Sequence, residues 1–576
     1  MGSIQDCVQV SIKEESMVAV NRRQFLGGAG LMVGAGALAA LTGCSPSEPA
    51  SVQASTQGDG ESVLSSAARA EVEFKSIEVQ DGIEELNYDV VVVGGGTSGC
   101  CASLASAQGG AKTVMIEKTD MTGGLSSVSV HISAAGAQIQ KEAGRNHSSD
   151  DLFAIVRDWY HGTNNLSLVR EILNNSGETI DWLIENGVGL TVWPNEVVLQ
   201  PLLDRIREQS ATALPDDKLQ ALVTAFTGEW NGEVMTSTRV IKLLPGEDEL
   251  SVAGVIAERS DGSQVKINAR AVILSAGSWS GETDYFKSIL AHTDKYMIHS
   301  GTGVSVDNTG DGIYLAEQIG GWRWISCPFW HQIDFADLDG APNVEMTNRY
   351  DFPSLRYDPN LIWVNAEGTR FADEGVAGSF AQRGAVASCQ GGDLWVIFDQ
   401  GVLDDIQKNG SKASVTSDQY RIPSGDEYLQ KVADSVEAGE IYKVDTLEEL
   451  AERCGFLTEE FVQNIEDYNA SVDAGYDAYY LKDPKFLTYK FENPPYYAQR
   501  MVANNEGGAI GGVRVNRELR VYNRDLGHAF TNLFATGLNA SGYFGLGTYI
   551  DLAGQTMCFA VNSGRLAGEH AAKLVK

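Results

Sequence analysis

Gly94, Gly96 and Gly99 stand in the spacing G-x-G-x-x-G, and Glu117 follows at the end of the next apolar run. Those residue types in that order suit the holding of a dinucleotide. Gly94 permits a tight turn, Gly96 lets backbone N–H groups approach a pyrophosphate, and Gly99 lets a helix pack closely on a strand. Glu117 is placed to accept a hydrogen bond from a ribose hydroxyl. The eight cysteines, Cys7, Cys44, Cys100, Cys101, Cys327, Cys389, Cys454 and Cys558, show neither metal-ligand spacing nor a C-x-x-C-H haem site. No metal is therefore expected, and redox chemistry must rest on the nucleotide.

The elements that would position these residues are legible around them. Val90 to Val93 read as a buried strand, the alanine-rich stretch after Gly99 as a helix, and Val114-Met115-Ile116 as a second strand before Gly123-Gly124. Strand, turn, helix, strand and acidic residue thus occur in the order of a βαβ unit, with the helix N-terminus facing the phosphates. Ala271-Val272-Ile273-Leu274-Ser275-Ala276-Gly277 and Leu533-Phe534-Ala535-Thr536-Gly537 are two further apolar runs ending in small residues. Small residues at the carboxyl end of a strand let a cofactor lie against the backbone. Two such runs behind the fingerprint point to FAD.

Asn308-Thr309-Gly310-Asp311-Gly312-Ile313-Tyr314 and Val364-Asn365-Ala366-Glu367-Gly368-Thr369-Arg370-Phe371 add more specific motifs, as do Gly511-Gly512-Val513 and Gly564-Arg565-Leu566-Ala567-Gly568. With these, the chain from Tyr88 to Ala572 resembles the flavoprotein family of fumarate reductases and succinate dehydrogenases, which includes urocanate reductases and 3-ketosteroid dehydrogenases. The resemblance implies an α/β fold, a Rossmann-like FAD-binding domain with an inserted α+β capping domain. The expected parts are residues 85–326 and 506–576 for the FAD-binding domain and 327–505 for the cap, with substrate between cap and flavin ring. It further implies FAD contacts at Gly94, Gly96, Gly99, Glu117, Gly123, Gly124, Val240, Gly277, Asp311, Gly537, Asn539, Gly554, Thr556 and Met557. Asn539 departs from the family's usual glutamate, which keeps a hydrogen bond and removes a charge. Gly123-Gly124-Leu125-Ser126-Ser127 lacks the histidine of covalent members, and His131 lies several residues too far along, so the flavin is expected to be non-covalent.

The departures bear on substrate. A dicarboxylate site needs fixed cations in a dry pocket. Aligned on neighbouring motifs, the family's two histidines fall on Cys327 and about Gly508, its clamping arginine on Asp551, and its proton-donating arginine near Gly378. A carboxylate at Asp551 facing a substrate carboxylate would cost several kcal/mol. Fumarate and succinate are therefore not expected, and a neutral or cationic molecule is. Phe329, Trp330, Tyr350, Phe352, Tyr357, Tyr543, Phe544 and Tyr549 supply aromatics near the expected pocket, though many serve a core equally well. Tyr549 lies within one residue of the tyrosine with which ketosteroid-type members hydrogen-bond a carbonyl, and with the Gly554 N–H it is the first catalytic candidate. Arg383, in Gln382-Arg383-Gly384, is the second, standing in for the missing proton donor; a salt-bridged structural arginine is the alternative. Arg356 and His331 rank below it, and His147 and His161 have no assigned role.

Before the fold begins, Asn21-Arg22-Arg23-Gln24-Phe25-Leu26 precedes a Gly/Ala/Leu stretch ending in Leu41-Thr42-Gly43-Cys44. Residues 1–44 read as a twin-arginine export signal with a lipoprotein box at Cys44, the apolar stretch being too short and glycine-rich for a stable span. Residues 45–84 read as a polar linker. The expected location is the outer face of the cytoplasmic membrane or the periplasm, with anchoring through lipidated Cys44. A formal charge of -34 disfavours nucleic acid as a partner. The expected function is an exported FAD-dependent oxidoreductase that reduces an activated C=C bond of a small organic acceptor. A separate membrane or extracytoplasmic electron-transfer protein would supply its electrons. The alternatives are a ketosteroid-like dehydrogenase and a non-catalytic flavin-binding lipoprotein.

Overall fold

The computed structural model describes residues 78–576 apart from 125–128, 130, 193–210, 214–218, 280–306, 325–326, 329–331, 339–356, 380–381, 413–424, 505–508, 547–548 and 551. The export signal, Cys44 and most of the linker lie outside the described residues, as do Gly508, Asp551, Phe329, Trp330, His331, Tyr350, Phe352 and Arg356.

The apolar run at the fingerprint forms β1 (Glu84–Val93), whose last four valines are buried. Each such side chain contributes about 1.5–3 kcal/mol of hydrophobic stabilisation. Helix α1 (Thr97–Gln108) follows and leads into β2 (Thr113–Ile116), parallel to β1 from Val90↔Thr113 to Val93↔Ile116. Four more strands come from the next part of the chain: β3 (Glu233–Met235), β4 (Thr238–Pro245), β5 (Val252–Arg259) and β6 (Gln264–Leu274). Two return from its far end, β7 (Arg520–Tyr522) and β8 (Ala529–Ala535). The sheet runs β7-β8-β6-β1-β2-β3, parallel from β8 to β3, while β5 and β4 continue antiparallel from β6. β6 and β8 are the two runs with small carboxyl ends, and they are hydrogen-bonded neighbours in register Leu533↔Val272 to Ala535↔Leu274.

Helix α1 has no polar face because it has no wet face: nearly every residue from Thr97 to Ala107 is buried. Its small residues let α3 (Gln555–Val575) lie directly against it. A Cβ added at Gly564 would meet the Ser98 carbonyl at 2.3 Å, and one at Gly568 the Ala102 carbonyl at 2.5 Å. Helix α2 (Leu166–Glu185) covers the other side of α3, burying Leu168, Ile172, Leu173, Ile180 and Leu183 at helical spacing. Thr179 of α2 donates to Asn562 of α3 at 2.6 Å.

Between β6 and β7 the chain builds a second, antiparallel sheet from Gln332–Phe335, Ile362–Val364, Asp393–Asp399, Ile441–Val444 and Tyr496–Asn504. Tyr496–Asn504 is the central strand, pairing with three of the others. Where the chain enters and leaves this region it pairs with itself in a two-residue antiparallel ladder, Cys327↔Ile510 and Pro328↔Ala509.

Candidate functional site

The glycines of the fingerprint divide by what surrounds them. Gly94 adopts φ +102°, and a Cβ there would stand 2.5 Å from the Ser275 carbonyl. A Cβ at Gly99 would be 1.9 Å from the Gly94 carbonyl. Both sites are closed by protein. Gly96 is different: a Cβ there meets nothing within 4 Å. It is also the N-cap of α1 and offers no side chain to the first-turn N–H groups, which leaves them for an anion. Glu117 is held at the edge of this opening, accepting from Gly95 N at 2.7 Å, Thr119 N at 2.8 Å and Thr119 Oγ1 at 3.0 Å. Gly123 N donates to the Gly95 carbonyl at 2.8 Å, and Gly124, at φ +51°, lies so close that its Cβ would be 3.2 Å from Gly96 Cα.

The T-G-D-G segment meets the same region from the far side of β6. Gly277 adopts φ +77°, and Asp311 starts the helix Asp311–Glu317. Its carboxylate is gripped by Arg239 Nε and Nη2, each at 2.9 Å, by Thr309 Oγ1 at 2.7 Å and by Lys118 Nζ at 3.5 Å. Burial pushes the Asp311 carboxyl up, but the Arg239 hydrogen bonds and the charges of Lys118 and Arg239 hold it below the usual range. Asp311 thus fastens β4 and the residue after Glu117 to its helix, next to buried Val240.

Asn539 sits where these pieces converge. It is fully buried, its Oδ1 accepts from Ala276 N at 3.2 Å, and a Cβ at Gly312 would lie 1.8 Å from that same oxygen. Its Nδ2 is buried with no hydrogen-bond partner among the described residues, a state that proteins avoid unless a ligand or water supplies the acceptor. Gly537 beside it takes φ +55° within 2.6 Å of Ser98 Oγ for its absent Cβ. An uncapped helix terminus, open space over Gly96 and an orphaned amide together fit a bound dinucleotide.

At the other end of the cluster lies the N-terminus of α3. Gly554 adopts φ +77° and caps the helix without a side chain, and its carbonyl accepts from Ser133 N at 3.1 Å. Its absent Cβ would be 2.9 Å from the His131 carbonyl. Burial pushes the His131 imidazole down to about 4, so the ring is neutral. Thr556 N donates to the Tyr549 hydroxyl at 3.0 Å, and Tyr549 is buried. Burial pushes its phenol up to about 12, more than the Thr556 hydrogen bonds pull it down. Met557 ties this end to the fingerprint: its sulfur accepts from Thr97 Oγ1 at 3.8 Å.

The sequence-assigned residues from Gly94 to Met557 therefore gather along one path between the N-termini of α1 and α3. Arg383 belongs to another layer. It is fully buried in the helix Arg383–Ser388, which packs on the second sheet, donates to the Ala377 carbonyl at 3.4 Å and places its guanidinium 4.4 Å from the Tyr357 ring. Gly378 ends the turn Glu374–Gly378 beside it. A surface cleft of about 760 Å³ lies toward the amino ends of β1, β2 and β6, lined by Tyr88, Lys112, Asn268 and Arg270, away from the glycine turns. Sequence reading missed Gln555, whose buried amide at the start of α3 pairs with Tyr543. The signal lay in a polar residue between the assigned Gly554 and Thr556.

Residues 89–549 match the family described as the FAD binding domain. The chain is 27% identical to vinyl phenol reductase of Lactiplantibacillus plantarum, across 84% of this chain and 97% of that protein. It is 25% identical to a probable fumarate reductase of Shewanella frigidimarina, across 84% of this chain and 74% of the relative. A solved 3-ketosteroid Δ1-dehydrogenase from Sterolibacterium denitrificans shares the fold, with a TM-score of 0.61 over 84% of this chain and 99% of that one at 18% identity. The chain belongs to the FAD binding domain family and is an FAD-dependent oxidoreductase.

Proposed function

We propose that this oxidoreductase reduces an activated C=C bond of a neutral or cationic organic acceptor, of the enone or acrylate-ester type. The observation that carries this reading is the buried, neutral phenol of Tyr549 at the N-terminus of α3. Bound FAD supplies the hydride donor. The residues supply the rest. Tyr549 keeps its own proton while accepting from Thr556 N, so it can donate to a substrate oxygen as negative charge gathers there. The helix behind it adds the positive end of its dipole. Arg383 of the capping layer is the proposed second acid: its guanidinium would give a proton to the substrate carbon and be reprotonated at once, its high basicity keeping it charged between turnovers.

The same reading takes residues 327–505 as a cap over a non-covalently held flavin, with 85–326 and 506–576 as its floor. It takes export by the twin-arginine route and a lipid anchor at Cys44, with electrons arriving from a separate protein. Similarity to vinyl phenol reductase supports reduction of a phenol-conjugated double bond.

The test is anaerobic. Photoreduced holoprotein mixed with enones and vinyl phenols should regain the visible absorption band of oxidised flavin. Tyr549→Phe should slow that reoxidation by roughly 10²–10³-fold while the flavin stays bound. Reoxidation unaffected in the phenylalanine variant would remove Tyr549 from the reaction. Bleaching of oxidised protein by saturated ketones, with no reoxidation by enones, would favour a dehydrogenase instead.

A further inference from the structure

Tyr543 and Gln555 form a buried pair that the reaction as described leaves unused. Tyr543 is fully buried, stacks on Phe559 at 4.8 Å and 12° and meets Phe544 edge-on at 5.1 Å. Two packed aromatics fix its ring, and its hydroxyl donates to Gln555 Oε1 at 2.5 Å. That bond fixes the amide plane in turn and directs Nε2 away from the hydroxyl. Gln555 is fully buried, yet Nε2 has no hydrogen-bond partner among the described residues. An amide donor buried without an acceptor is destabilising, so a core that needed only volume here would favour an apolar residue.

The location says what acceptor would suit it. Gln555 is the first residue of the 21-residue helix α3, directly after left-handed Gly554 and directly before Thr556, whose N–H faces the Tyr549 hydroxyl. The N-terminus of that helix favours negative charge. We propose that Gln555 Nε2 binds a carbonyl or phenolic oxygen that gains negative charge on reduction, with Tyr543 as the positioning residue that aims it. This rests on the reading that the N-terminus of α3 faces the flavin and the substrate. Two oxygens share that chemistry: a carbonyl on the pyrimidine side of the flavin ring, and the oxygen of the organic acceptor.

The experiment uses holoprotein carrying Gln555→Leu or Tyr543→Phe, with 2-cyclohexenone as the ligand probe. Three quantities are read: the flavin midpoint potential by dye equilibration, the FAD dissociation constant, and the enone dissociation constant from the flavin difference spectrum. If the flavin carbonyl is the partner, Gln555→Leu lowers the potential and weakens FAD about tenfold, leaving the enone constant alone. If the substrate oxygen is the partner, enone affinity falls about tenfold and the potential stays. Tyr543→Phe moves the same quantity in the same direction by less, because the amide is loosened and not removed. Variants that differ from wild type only in melting temperature overturn the assignment. A wild-type protein that takes up no FAD would instead remove the reading beneath it.

Discussion

At the scale of single residues, the two kinds of glycine in the fingerprint should fail differently. Gly96 has open space where a side chain would go and already caps α1, so Gly96→Asp should fold normally, aspartate being a good N-cap. Its charge would then face the pyrophosphate, weakening FAD roughly a hundredfold. Gly99→Ala instead drives a Cβ to 1.9 Å from the Gly94 carbonyl and should cost about 1–3 kcal/mol of stability. Melting curves and FAD titration on the two apoproteins separate these outcomes; equal loss of stability in both would refute the division. His131 makes a third case. Its ring is depressed from 6.5 to about 4 by burial, so the unfolded chain binds its proton first as pH falls. The stability it contributes is present above 6.5 and is lost as pH falls toward about 4. His131→Gln should flatten that part of the curve of melting temperature against pH. The fingerprint glycines were legible because their spacing follows one turn, even though Gly94 is also closed from outside that turn by the Ser275 carbonyl. Gln555 was not, because its significance depends on Tyr543, which reaches it only once a loop folds back on the start of α3.

At the scale of elements, the V-N-x-x-G-x-R-F motif earns its place through a buried ion network. Arg370 grips Glu374 with Nε and Nη2, both at 2.8 Å, and reaches Asp477 at 2.9 Å, while Lys482 approaches Glu374 at 3.1 Å. All four side chains are at most 3% exposed. Glu374 opens the turn that runs to Gly378 beside Arg383, so the network fixes the frame on which Arg383 is held. Burial alone would raise the Glu374 carboxyl, but Lys482 and Arg370 hold it below the usual carboxylate range. Its stabilisation is therefore present above the ordinary glutamate range and is lost as pH falls through its lowered value. Glu374→Gln leaves two buried cations to one remaining carboxylate and should cost about 3–5 kcal/mol, read by chemical denaturation near neutral pH. A loss under about 1 kcal/mol would mean the charges are solvated or rearrange. Strands β1, β6 and β8 were readable as apolar runs ending in glycine or small residues, and β2 as an apolar run ending at Glu117. The network was not, because Arg370, Asp477 and Lys482 are brought together by the helix Thr458–Ala474 and the turn that follows it, a pairing no periodicity records.

At the scale of the whole molecule, one sheet takes strands from both ends of the chain, and β6 and β8 meet only after the entire second sheet has been inserted between them. That arrangement places the cofactor path at a seam between distant segments, so its chemistry is read against the charge of the complete protein, which is -34. A negative surface repels an anionic substrate over a distance set by screening, about 10 Å at 0.1 M salt. Acrylate and its neutral methyl ester carry the same double bond and differ by one charge, so they isolate this term. On the reading that the cationic clamps are replaced, kcat/KM for the ester should be flat in salt, while that for acrylate should be lower and rise several-fold between about 0.02 M and 0.3 M salt. The rise would reflect association alone, leaving kcat unchanged, because screening acts on approach and not on a buried phenol. If acrylate is instead the better substrate at low salt and loses activity as salt is added, a local cation overrides the global field. The preference for a neutral or cationic acceptor would then be wrong.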